Sequence, residues 1–107
     1  MATIKLIDID QQFYNLKCVG FEQLTISNVA LGLTVPDKTM YAVFQLETNN
    51  IRMRFDGTNP TAAIGHLLTT TDNILQMAGR EIILRTKVIR AGGADGILNV
   101  SYFGRDI

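Results

Sequence analysis

The sequence has few of the groups that carry most protein chemistry: among its 107 residues are one cysteine, one histidine and no tryptophan. A single Cys18 can form neither an intrachain disulfide nor a thiolate zinc site, so the core must stabilise the fold unaided. A lone His66 likewise excludes a histidine-rich metal site. No apolar run reaches the roughly 20 residues that a helix needs to cross a bilayer. The longest, Val29 to Val35, is broken by Gly32 and Thr34. The N-terminal residues alternate apolar positions with Asp8 and Asp10. They hold no apolar block and no cleavage site, so no secretory signal is read there. An excess of one charge is missing too, since ten basic and ten acidic residues cancel. That argues against nucleic-acid binding, because displacing counterions from phosphates calls for a basic excess. The expectation is a protein made in a cytosol that binds neither nucleic acid nor membrane.

What is present describes a folded domain. Apolar residues make up 47% of the chain and charged residues 19%, with no low-complexity tract, which suits a single globule with one core over residues 1–107. The charges are uneven: residues 1–50 carry three Lys against five acidic groups, and residues 51–107 carry seven basic against five acidic. A neutral, mildly dipolar chain has little self-repulsion and tends to associate with its own copies or with a fixed partner.

Period-two alternation recurs along the chain, and no sustained helical stripe does. Ile4, Leu6 and Asp8 share one face of a first expected strand, and Phe13 to Val19 form a second apolar stretch closed by Gly20. Leu24 and Ile26 alternate, then the phase slips at Ser27 and Asn28 before Val29, Leu31, Leu33 and Val35. Pro36 and Asp37 end that strand in a turn. Met40, Ala42, Phe44 and Leu46 form one face of the next strand, opposite Tyr41, Val43, Gln45 and Glu47. Asn49 and Asn50 form a short connection, because Asn tolerates the left-handed conformation of tight hairpins. Ile51, Met53 and Phe55 then oppose Arg52, Arg54 and Asp56. Leu67 and Leu68 begin another strand, Thr69 to Asn73 turn, and Ile74 to Met77 resume the sheet. Gly79 to Leu84 reads either as one helical turn or as a buried strand. Arg85 to Ala91 and Ile97 to Phe103 form a last pair joined by the glycine-rich residues 92–96. In that final strand Leu98, Val100 and Tyr102 share a face. Roughly seven to nine short strands with frequent turns predict an all-β sandwich, of which a jelly roll is one form.

Reactive constellations are sparse. Cys18, Ser27 or Ser101 with His66 are the only nucleophile–base combinations, and none carries the signature of a triad. Cys18, in an apolar stretch, reads as a small core residue, and His66 as a surface or loop-packing residue. Asp8 and Asp10 project from one face of a short strand, and Asp56, Asp72, Asp95 and Asp106 fall in turns without calcium-loop spacing. Residues 92–96 lack the lysine and following helix of a phosphate loop. No cofactor and no metal are expected, and the protein is read as non-catalytic.

The most distinctive stretch is residues 51–65, where an alternating strand runs into Asp56-Gly57-Thr58-Asn59-Pro60-Thr61. Asp56 can accept bonds from the amides that follow, Gly57 supplies a conformation other residues resist, and Pro60 fixes the backbone beyond. Arg52 and Arg54 share a strand face roughly 7 Å apart, a solvated face or an interface patch. This segment resembles the loop signature of chitobiase C-terminal-type domains, small non-catalytic β-sandwich modules of carbohydrate-active enzymes. Arg52 and Arg54 stand where those domains carry tyrosine and threonine.

A longer resemblance spans residues 21–103. Phe21 to Ser27, Val29 to Thr34, Ala42 to Glu47, the 52–61 loop, Gly65 to Leu68 and Lys87 to Tyr102 follow one another as in small virion structural proteins of tailed bacteriophages and prophages. That resemblance implies a virion protein made in the host bacterial cytoplasm, its copies associating with each other and with other virion proteins. A capsid decoration (cement) protein bridging subunits of the major capsid protein is the expected role. A tail, neck or fibre component is the neighbouring alternative. A carbohydrate-binding accessory module is the alternative from another class, weakened by the absence of tryptophan platforms.

Overall fold

Across residues 16–71 and 74–105, which a computed structural model describes, period-two alternation becomes strand. The strands are β1 (Lys17–Ile26), β2 (Leu31–Gly32), β3 (Thr39–Thr48) and β4 (Ile51–Arg54), then β5 (His66–Leu68), β6 (Leu75–Ala78), β7 (Lys87–Arg90) and β8 (Gly96–Gly104). One short helix, α1 (Arg80–Arg85), precedes β7. The expected strand at Ile4 to Asp8, the residues before Leu16, and Asp72 and Asp106 lie outside the described residues.

All pairings are antiparallel, and they follow one rule. Strand β4 pairs β5, β3 pairs β6, β2 pairs β7 and β1 pairs β8. That is the ladder of one long hairpin with its tip between β4 and β5. Rolling the hairpin adds the contacts β3–β8 and β4–β7. The result is two four-stranded sheets, β1-β8-β3-β6 and β2-β7-β4-β5. This winding is the jelly roll.

The two sheets enclose one dry layer. Ile26, Phe44, Leu98, Val100 and Tyr102 from the first sheet meet Ile51, Met53 and Val88 from the second, all buried. Strand β8 shows why: its burial alternates strictly, with Gly96, Leu98, Val100, Tyr102 and Gly104 inward. Burying each large apolar side chain contributes about 1.5–3 kcal/mol, so this shared face dominates the stability.

Several local expectations are corrected. Gly20 does not close a strand; β1 runs through it, with a bulge between Cys18 and Gly20. A Cβ there would lie 2.7 Å from Cγ of Pro36, so this glycine admits the 33–36 segment against β1. The Val29–Val35 strand contracts to Leu31–Gly32, yet Leu33 and Val35 still pack on the core. Val29 and Leu31 are exposed, so only the second half of the alternation records burial, and it does so without a hydrogen-bond ladder. Asn49 does adopt positive φ, at 56°, but it carries the chain from one sheet to the other and closes no hairpin. Residues 91–95 do the same: β7 and β8 lie in different sheets and are not a pair. Likewise, β6 joins the opposite sheet from β5. Finally, the 79–84 ambiguity resolves as helix. Only Ile83 of the Ile82-Ile83-Leu84 run is buried, because a helical turn brings just one of three consecutive residues inward.

Candidate functional site

The hairpin tip between β4 and β5 is a rigid loop. Oδ1 of Asp56 accepts the Thr58 amide at 3.1 Å, which is the Asx turn. The same carboxylate accepts Nε and Nη2 of Arg54 at 3.2 and 2.5 Å. Gly57, at φ 83°, donates its amide to the Arg85 carbonyl at 3.0 Å and ties the loop to the end of α1. Pro60 is buried. Oγ1 of Thr61 accepts the amides of Ala63 and Ile64. The loop then folds onto the outward side of β4, where Arg52 donates to the carbonyls of Ala62 and Gly65 at 3.3 and 3.1 Å. Gly65 sits at φ 138°, and a Cβ there would stand 3.1–3.3 Å from Pro60, Arg52 and Met53. Both arginines of the strand face therefore hold intramolecular partners.

Between this loop, β5 and α1 opens a cleft of about 630 Å³, within the size range of ligand sites. Phe55 lines it, with its ring stacked on His66 at 5.3 Å and 18°. Ile64 and Ile82 line it too and are 59% and 45% exposed. Arg54 and Asp56 complete the lining. Their mutual hydrogen bonds set the charges: the Asp56 carboxyl is held below its usual range by Arg54 and then by the Thr58 amide, and Arg54 is raised by Asp56.

A second surface lies on the outward side of the β1-β8-β3-β6 sheet, and it is divided. At one end Tyr41 and Val43 are buried under Leu16, Ile74 and Phe103, and the Tyr41 and Phe103 rings meet edge to face at 6.2 Å. Phe21 stands beside them, 62% exposed, on a shallow groove of about 140 Å³. At the other end Gln23, Glu47 and Asn99 bond across three strands. Gln23 donates to Glu47 and Asn99 at 3.0 Å each, and Asn99 donates to Glu47 at 2.7 Å.

Inside the sandwich, Oε2 of Glu22 accepts the Thr34 amide at 2.9 Å and the hydroxyl of Tyr102. Burial, and then Glu22, hold the Tyr102 phenol well above its ordinary value. This network fastens the 33–36 segment to the first sheet.

No family model, curated protein or solved structure matches this chain. Cys18 is exposed, contrary to the core placement expected of it. The bulge beside Gly20 leaves it facing away from Val19, which packs on the core. Oγ of Ser27 accepts the Val29 amide at 3.2 Å, Ser101 lies on β8, and the ring contact of His66 is Phe55. These groups do not converge. Asp95 pairs with Arg90 at 2.7 Å. Among the described residues no three His, Cys, Asp or Glu side chains cluster as metal ligands would, and no helix is long and apolar enough to cross a membrane. Asp56, Gly57, Thr58, Pro60 and Thr61 are contiguous in the sequence and so stand out there as one loop. Ile82 and the polar triad of Gln23, Glu47 and Asn99 carry no such local signal, because the fold brings them to their neighbours from distant segments.

Proposed function

We propose that this chain is a non-catalytic structural protein of a bacteriophage virion, a decoration protein whose copies bridge subunits of the capsid. The observation that carries the reading is that Phe21, Ile64 and Ile82, three of the exposed large apolar groups among the described residues, lie on two surfaces with no residue in common. One is the Phe21 groove on the first sheet, and the other is the end cleft lined by Ile64 and Ile82. Exposed apolar patches mark contact sites, and a bridging protein needs two of them. The fold agrees with the reading, since jelly rolls build viral capsids, although they also build lectins and enzymes. Net neutrality removes the long-range repulsion that would oppose close packing of many copies.

The test is sedimentation of the purified protein with capsid shells stripped of accessory proteins. The reading expects saturable co-sedimentation at a fixed ratio to the capsid subunit, weakened by Phe21→Ser. Absence from shells combined with binding to purified tails would move the protein to the tail or neck. Specific glycan binding without either would favour the carbohydrate-binding module.

A further inference from the structure

We propose that β1 pairs edge to edge with β1 of a second copy of this chain, joining two first sheets into one eight-stranded sheet. The inference goes beyond the virion reading and stands without it. An open strand edge is a row of unpaired N–H and C=O groups, and folds keep such edges short or guard them with lysine. Three of the four edges here follow that pattern. Strand β2 has two residues, and Nζ of Lys87 lies 3.1 Å from where a Cβ of Gly32 would stand. Strand β5 has three residues. Strand β6 has four and leads through Gly79 into α1, which packs on it. Strand β1 is the exception. It has ten residues, and among the described residues no strand pairs its other side.

The sequence of β1 meets its own copy position by position. Its ladder with β8 is regular from Gly20 to Ile26, beyond the bulge. That run holds no proline and no lysine. Its one charged side chain, Glu22, is turned inward to the Thr34 amide and the Tyr102 hydroxyl. Phe21, Gln23 and Thr25 are exposed on the outward side. Antiparallel pairing of the whole run with itself puts the two-fold axis at Gln23, its midpoint. Gly20 then faces Ile26, Phe21 faces Thr25, Glu22 faces Leu24, and Gln23 faces its own copy. Outward residues meet outward residues, as the pleat requires, and no like charges are opposed. An aromatic ring beside a β-branched residue is a favourable cross-strand pair, so the Phe21 ring, 62% exposed in one copy, gains cover from Thr25 of the other. The zero net charge adds no long-range repulsion between copies. A two-fold contact of this kind closes on itself and stops at two copies.

Cys18, the only cysteine and an exposed one, supplies the readout. A nitroxide is attached to it in the full chain, and the label-to-label distance is measured by pulsed electron resonance beside sedimentation equilibrium. The expected result is a concentration-dependent dimer with a distance of about 33 Å, ten residues of strand at roughly 3.3 Å each. Phe21→Lys combined with Thr25→Lys sets lysines against each other across the axis and should raise the dissociation constant about tenfold. Phe21→Lys combined with Thr25→Glu sets opposite charges at the same places and should restore most of the affinity, so the first loss is not one of folding. The inference is overturned by a chain that stays monomeric up to about 1 mM. It also fails on a dimer that lacks the expected distance, or on equal dimerisation of the two double variants. Slow hydrogen exchange from Phe21 to Thr25 in a monomer would place another segment of the same chain on this edge, and that too would overturn it.

Discussion

Two residues show how single groups fix the interior. Tyr102 fills the core and bonds Glu22, which also holds the Thr34 amide. Tyr102→Phe is expected to lower stability by about 1.5–3 kcal/mol at neutral pH, the range for a hydrogen bond to a charged group, measured by urea unfolding. The same pair predicts a pH dependence. In the folded chain the phenol stays neutral well above its ordinary value, held there by burial first and Glu22 second. In the unfolded chain it ionises near pH 10, its usual range. Its stabilisation is therefore complete below about pH 10 and is lost as the pH rises beyond that. The gap between the wild-type chain and Tyr102→Phe should narrow by about pH 11. A gap that stayed constant would contradict the buried, neutral phenol. At Gly20 the constraint is space: a Cβ would meet the Pro36 ring at 2.7 Å, and a proline ring cannot swing aside. Gly20→Ala should cost about 1–3 kcal/mol, as overpacking does, and a thermal melt indistinguishable from wild type would show that the 33–36 segment is free to move.

At the scale of elements, α1 and the tip loop make the sharpest claims. In α1 only Ile83 enters the core, while Ile82 and Leu84 are 45% and 44% exposed. Ile83→Ala should cost about 2–5 kcal/mol and Ile82→Ala no more than about 0.5 kcal/mol, compared by denaturant unfolding. Similar losses at both positions would restore the strand alternative. For the tip loop, Arg52→Ala removes both bonds to the carbonyls of Ala62 and Gly65. It is expected to lower stability by about 1–2 kcal/mol and to speed hydrogen exchange at the Ile64 amide ahead of the sheet. The loop chemistry was legible in the sequence, because Asp56, Gly57 and Thr61 act on residues within a few positions of themselves. The faces of β3, β4 and β8 were legible for the same reason, since side chains alternate whatever the partner. The connections were not. Asn49-Asn50 and residues 91–95 have hairpin chemistry, but turn residues specify a local backbone angle and not which sheet the next strand enters.

At the scale of the whole molecule, rolling one hairpin explains both what pairs and what is left exposed. Each β1–β8, β2–β7 and β3–β6 contact joins strands distant in sequence, so the jelly-roll order could not be derived from local pattern. Rolling places the β4–β5 tip beside α1, which creates the end cleft. It also brings Phe21 beside Phe103 and Val43, and Gln23 beside Asn99 and Glu47, on the outward side of the first sheet. Neither surface exists in any single segment of the chain. In the proposed bridging role these two surfaces serve two different neighbours. Cryo-electron microscopy of capsid shells saturated with the protein is the decisive measurement. A bridging chain gives density with the Phe21 face against one capsid subunit and the Ile64–Ile82 cleft against another. Density in which both surfaces face solvent, or shells that bear none of the protein, would contradict that role.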